Sequence, residues 1–180
     1  MSQHQLLGLS GALRGGSTNA SLLREAARFF GPCDFIEGDL NLPLYDGDAE
    51  AESGIPDAVQ KLADQIAAAD AVVISTPEYN KGPSGVLKNA LDWVSRTKGS
   101  PWSGKPVAVM SAAAGRAGGE RAQMILRGFM VPFRPRILQG PEMHLADSSN
   151  AFDDNGHITS ELYISTLTEL MDNLRREINR

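Results

Sequence analysis

The sequence has little of what marks a metal centre, a disulfide scaffold or a polyanion-binding surface. Its single cysteine, Cys33, excludes an intrachain disulfide and fits a reducing compartment, and its place in the run CDFIE assigns it to a strand and to core packing. The three histidines, His4, His144 and His157, show no H-x-x-x-H or Cys/His spacing, so no metal is expected and all three read as surface or loop residues. Seventeen Lys and Arg stand against 22 Asp and Glu, a net charge of −5, and no basic run forms a stripe. That sets aside nucleic acid and anionic membranes as partners. The N-terminus has no basic leader and only a short apolar run before glycines begin, so neither a signal peptide nor a membrane span is expected, and the chain reads as cytoplasmic. Two phosphate-binding loops are missing as well: there is no G-x-x-x-x-G-K-[ST], and Gly8, Gly11 and Gly15 do not make G-x-G-x-x-G.

What is present is alternation. The apolar runs LLGLS, CDFIE, AVVIS and PVAVMS, and a last strand near PRILQ, are separated by stretches with apolar residues at helical spacing, such as Leu22, Leu23, Ala26, Ala27 and Phe30. Strand, helix, strand, helix is the pattern of a parallel sheet covered on both faces. The 180 residues suffice for one well-cored domain, and a single domain over 1–180 is expected. Five such strands fit an α/β, flavodoxin-like three-layer sandwich with a parallel sheet of order 2-1-3-4-5, whose ligand lies beyond the strand C-termini at the switch between strands 1 and 3.

Three loops then converge on one place. The first, SGALRGGSTN, has glycines for close backbone approach, the planar fork of Arg14, the hydroxyls of Ser10, Ser17 and Thr18, and Asn19 as an N-cap candidate for the helix from Ala20. A helix N-terminus behind such a loop is an anion site, and the loop taken alone is equally an ordinary turn with a solvated arginine. The second, after AVVIS, runs Thr76, Pro77, Glu78, Tyr79, Asn80, where proline turns the chain out of the strand and offers a planar side chain and polar groups to a flat heterocycle. The third, Ser111 to Gly119, is made mostly of alanine and glycine, and its N–H groups suit negative charge at a ring edge. A rival reading takes GLSGA as a near-miss of the G-x-S-x-G elbow, with Ser10 as a hydrolase nucleophile and Asp147 and His157 as its partners.

Taken together, G-A-L-R-G-G-S-T-N, P-E-Y-N followed by G-V-L-K-N-A-L-D-W, and G-G-E-R-A-Q resemble the signatures of the NADPH-dependent FMN reductase family, which includes quinone, chromate and azo-dye reductases. The resemblance spans about the first two thirds of the chain. It implies FMN as cofactor and NADPH or NADH as reductant. Arg14, Ser17 and Asn19, with Ser10 or Thr18, would hold the phosphate; Pro77, Glu78, Tyr79 and Asn80 would line the isoalloxazine; and the backbone of Ser111, Ala112, Ala113, Ala114 and Gly115 would contact its pyrimidine side. It further implies hydride transfer through FMN to quinones, flavin, chromate, ferric complexes or azo dyes by a ping-pong route, with no catalytic side chain. Lys81, Arg96 and Arg116 become candidates for the acceptor or the dinucleotide phosphates. The chain departs from the family pattern at Ala12, where serine is common, and at Lys81-Gly82-Pro83-Ser84, so these positions bear on ligand preference.

A flavodoxin-type electron carrier is the second rival. Such a carrier docks through an acidic surface, whereas Arg14, Lys81, Lys88, Arg96 and Arg116 crowd these loops. The resemblance also implies a homodimer or homotetramer with the cofactor near the subunit boundary. In the helix GVLKNALDWVSR, Trp93 falls outside the apolar stripe and Trp102 follows in the linker; their positions fit interface aromatics or caps of their own domain equally, and the resemblance favours the interface, with Arg96 within reach of the opposite subunit's pocket.

Overall fold

A computed structural model describes residues 3–180. The chain opens with β1 (His4–Ser10), α1 (Thr18–Phe30) and β2 (Cys33–Gly38), then α2 (Gly47–Ser53) and α3 (Asp57–Ala68). It continues through β3 (Ala71–Thr76), α4 (Gly85–Val94), β4 (Pro106–Ala112), α5 (Glu120–Met130), β5 (Arg136–Ile137), β6 (Met143–Leu145) and α6 (Glu161–Ile178). The sheet is parallel with order β2-β1-β3-β4-β5, as the alternation of apolar runs and helices predicts, and β6 also pairs with β4.

Side chains alternate across the strands and so build two cores. Leu6, Val73 and Met110 face one way, packed with Leu22, Leu23 and Ala26 of α1 and Leu167, Leu170 and Leu174 of α6. Leu7, Ile74 and Val109 face the other, with Leu62 and Ile66 of α3, Leu87 and Leu91 of α4, and Leu126 of α5. β3 and β4 are buried along their whole length, which is why their sequences are continuous apolar runs.

The fifth strand is not the single run expected near PRILQ. β5 holds only two residues against the start of β4, the chain then leaves the sheet at Gly140 and Pro141, and β6 rejoins the end of β4. Pro141 has no N–H for the ladder, which accounts for the interruption. α2, whose described residues are all solvent-accessible, was not expected either: it stands on an Asp46 N-cap that accepts from Asp48 N–H.

Several expectations need correction. Trp93 and Trp102 are each only 2 % exposed, and Trp93 Nε1 donates to the Pro43 carbonyl at 2.7 Å. The chain after β2 folds back over α4 and covers Trp93, and Trp102 is packed into the core cluster with Val107 and Met130, so neither is exposed as an interface aromatic. His4 and His144 are half-buried strand residues and only His157 is an exposed loop residue. Cys33 starts edge strand β2 and is half-buried, and desolvation raises its thiol pKa.

Candidate active site

The loops after β1, β3 and β4 meet at the C-terminal edge of the sheet around a cleft of about 530 Å³, a size suited to a cofactor. Arg14, Ser17, Thr18 and Asn19 line it from the first loop, Pro77, Glu78 and Tyr79 from the second, and Ala112, Ala113, Ala114 and Gly115 from the third. Ser10, Asn80 and Ser111 do not line it, while Ala12, Ala117, Gly118, Gly119, Ser148 and Ser149 do.

Each exclusion has a local cause. Ser10 Oγ turns back on its own loop, donating to Ala12 O at 3.2 Å and accepting from Ala12 N–H at 3.3 Å. Asn80 and Lys81 have φ of 51° and 67° and form the tip of a tight turn closed by paired bonds between Tyr79 and Gly82, so Asn80 is carried away from the cleft. Ser111 Oγ points beneath the third loop and donates to Gly118 O.

At the phosphate end, Ser17 and not Asn19 caps α1, its hydroxyl accepting from Asn19 N–H at 3.2 Å. Asn19 is buried, and its carboxamide is used on the end of β4 and on Ser75. The exposed Arg14 guanidinium, the Ser17 hydroxyl proton, which no bond among the described residues uses, and the unsatisfied N–H groups of the first helical turn remain for an anion. At the other end, Glu78 sends its carboxylate to α5, accepting from Ala122 N–H at 3.2 Å. One Glu78 oxygen therefore caps a helix while Glu78 still lines the cleft, beside Pro77 and the 56 % exposed Tyr79, which form its flat rim.

The third loop must come close, and only glycine allows it. A Cβ on Gly118 would lie 2.5 Å from the His144 backbone, and one on Gly119 would lie 2.7 Å from Ser111 Cβ, with φ of +59° and +92°. Ser148 and Ser149 arrive from the segment after β6, where Thr18 Oγ1 donates to Ser148 Oγ at 3.1 Å and Ser148 N–H to Ala113 O at 3.1 Å. These two serines escape sequence reading because the last strand was expected to end at PRILQ. The signal was present: a fifth parallel strand must end at this same edge, and ADSSN follows β6.

Of the three cationic candidates, Lys81 and Arg116 are exposed on loops that line the cleft, while Arg96 is held by Glu50 of its own chain at 2.9 Å. Arg96 and Glu50 strengthen each other, the carboxyl lying below and the guanidinium above their ordinary pKa values because of that hydrogen bond. Lys88 is likewise paired with Asp92 at 2.7 Å.

The hydrolase reading fails on this geometry. Ser10 is bonded to Ala12, Asp147 accepts from Asn150, and His157 Nδ1 sits 2.9 Å from Glu25, so the three intended partners are each committed elsewhere. Among the described residues no group of His, Cys, Asp or Glu is arranged to hold a metal, and no helix is long and apolar enough to cross a membrane. What the cleft offers is cationic and hydroxyl donors at a helix N-terminus, a flat rim and a floor of small residues. That donor set fits a cofactor with a phosphate at one end and a planar ring at the other.

Comparison with known proteins agrees with this donor set. Residues 5–148 match the family model described as NADPH-dependent FMN reductase. An NAD(P)H-dependent FMN reductase of Pseudomonas aeruginosa is 45 % identical over 159 residues, covering 87 % of this chain and 85 % of that protein. A quinone reductase of Escherichia coli K12 is 41 % identical over 142 residues, covering 77 % and 75 % respectively. The flavoenzyme NAD(P)H:(acceptor) oxidoreductase of Paracoccus denitrificans superposes with a TM-score of 0.87 at 30 % identity, over 98 % of this chain and 97 % of that one. The carrier reading gives way with the hydrolase reading. The matched stretch begins in β1 and ends at Ser148, so it encloses the loops after β1, β3 and β4, and the chain belongs to the NADPH-dependent FMN reductase family.

Proposed function

We propose that this oxidoreductase passes two electrons from NADH or NADPH to quinones, with flavin, chromate, ferric complexes and azo dyes as further acceptors. The observation that carries this reading is a single cleft with an anion cradle at one end and a flat, partly exposed rim at the other. FMN held there would supply hydride and two-electron transfer chemistry. The chain's part is to bind and orient. Arg14, the Ser17 hydroxyl and the first turn of α1 hold the phosphate, Pro77 and Tyr79 flank the ring, and the backbone from Ala112 to Gly115 meets its edge. Lys81 and Arg116 are the exposed cations available to dinucleotide phosphates, and no side-chain acid or base is required.

Because donor and acceptor need the same rim, they use it in turn. Initial rates at several fixed quinone concentrations then give parallel double-reciprocal lines, and intersecting lines refute a shared site. The simplest test of the whole reading is an absorption spectrum followed by anaerobic addition of NADPH: flavin bands that bleach support it, flavin that stays oxidised returns the carrier, and a chain that takes up no FMN removes it. We place this activity in the cytoplasm, on one domain, and in a homodimer or homotetramer. For that assembly the tryptophans offer no surface. Met124 on α5 and Val131 immediately after it, 75 % and 70 % exposed, do.

A further inference from the structure

Beneath the third loop runs a buried polar chain. Gln123, on α5 and 1 % exposed, donates from Nε2 to Ser111 Oγ and to Met143 O, both at 2.8 Å. Ser111, fully buried near the end of β4, donates in turn to the Gly118 carbonyl at 2.6 Å. Met143 O can face only a donor, which fixes the orientation of the Gln123 amide. Its Oε1 is left buried without a partner among the described residues, so the amide is kept in place for its two donor bonds.

The end of this chain is a peptide plane. The Gly118–Gly119 peptide is planar and trans, so its C=O and N–H point in opposite directions. With the carbonyl drawn inward onto Ser111, the Gly119 N–H is turned away from Ser111, and Gly119 lines the cleft. Among the described residues that N–H makes no hydrogen bond within the chain. Two-glycine stretches are otherwise free to rotate their central peptide, and here both residues have positive φ. The Gly118 N–H is bonded to Gly115 O and the Gly119 C=O accepts from Gln123 N–H, and the bond from Ser111 Oγ holds the carbonyl between them.

We propose that Gln123 is a positioning residue for electron transfer, acting through Ser111 to fix the Gly118–Gly119 peptide so that the Gly119 N–H is presented to the cofactor ring. The inference rests on the FMN reading of the cleft. An N–H held at the ring edge favours the anionic reduced ring over the neutral oxidised one, because a donor that does not have to reorient stabilises charge as it develops. Gln123 and Ser111 thus set the potential of the bound cofactor without touching it.

The test uses the apoprotein of the parent, Ser111→Ala, Gln123→Leu and the double variant, titrated with oxidised FMN and, anaerobically, with reduced FMN. Each single variant is expected to weaken reduced FMN about tenfold more than oxidised FMN, lowering the midpoint potential of the bound two-electron couple by about 30 mV. The double variant shifts no further than either single one, since both break the same chain. A structural role alone lowers the melting temperature and weakens both oxidation states equally, and an unmoved potential overturns the proposal. Ser111→Ala, which removes one oxygen atom, decides the matter if Gln123→Leu fails to fold. A parent apoprotein that binds no FMN overturns the reading of the cleft and this inference with it, whereas a parent that binds FMN beside variants of equal potential overturns only the inference.

Discussion

The Asn19 carboxamide pairs with both the N–H and the C=O of Ala112, each at 3.0 Å, ninety-three positions away in sequence. Its Oδ1 also accepts from Ser75 Oγ at 2.8 Å. One side chain in the first turn of α1 therefore ties together the C-terminal ends of β3 and β4, as a strand backbone would. The consequence is geometric: the phosphate end of the cleft, carried by α1, is held in register with the ring end, carried by the loop after β4.

Replacing Asn19 with Ala leaves the Ala112 N–H and C=O and the Ser75 hydroxyl without their buried partner. A loss of about 2 to 4 kcal/mol in unfolding free energy is expected, measured by urea denaturation of the apoprotein. Asn19→Asp keeps the shape and the acceptor but loses the donor to Ala112 O, and is expected to fall at least as far. A variant as stable as the parent shows that the clamp is dispensable.

Arg14 is the opposite case, exposed and with no ion pair among the described residues. Arg14→Ala should leave apoprotein stability unchanged while weakening FMN binding about 10- to 100-fold, the worth of a charge-assisted bond to phosphate. Fluorescence quenching of FMN on titration with apoprotein reads this directly. Unaltered affinity removes Arg14 from the cradle.

These two residues show what was legible in the sequence and what was not. The sheet order could be read because apolar runs buried on both faces leave no polar alternation to confuse with a surface strand, as in AVVIS. The loops could be located because the topology fixes where a ligand must sit. Which member of a loop turns toward the ligand is another matter, since it depends on partners far away in sequence. Asn19 and Glu78 both line the cleft, but the sequence does not show that Ala112 takes the Asn19 carboxamide or that the N-terminus of α5 takes one Glu78 oxygen. The same limit explains Trp93: helical periodicity describes one face of α4 and cannot see that the segment around Pro43 will cover a second.

Trp93 supplies a direct check of that correction. As an interface aromatic its loss would dissociate an assembly, but as a buried residue edge-on to Tyr45 and bonded to Pro43 O it should cost the fold about 3 to 5 kcal/mol. Light scattering and thermal unfolding of Trp93→Ala separate the two outcomes. The expected result is a lowered melting temperature with the parent's mass retained at temperatures where the variant is folded. A stable variant of lower mass would restore the interface assignment.

Glu25 carries the clearest pH dependence, and it acts on the segment that brings Ser148 to the cleft. Its carboxylate, 2 % exposed, accepts from Arg28 through two bonds of 2.7 Å, from Ile158 N–H at 3.0 Å, and lies 2.9 Å from His157 Nδ1, so it fastens the turn between Phe152 and Ile158 onto α1. Burial acts to raise the carboxyl pKa from its ordinary 4.5, but the bonds from Arg28, His157 and Ile158 outweigh it and hold the value at about 2. A carboxyl whose pKa is lower folded than unfolded stabilises the fold above the unfolded value, and loses that contribution as pH falls toward the folded one. Glu25→Gln should therefore be less stable than the parent by about 2 to 3 kcal/mol near neutrality, with the gap closing as pH is lowered from about 5 toward 2. Urea midpoints of both chains across that range measure the gap. A constant gap means that the Glu25 charge plays no part in holding the turn, and that its packing alone fastens the segment behind Ser148 to α1.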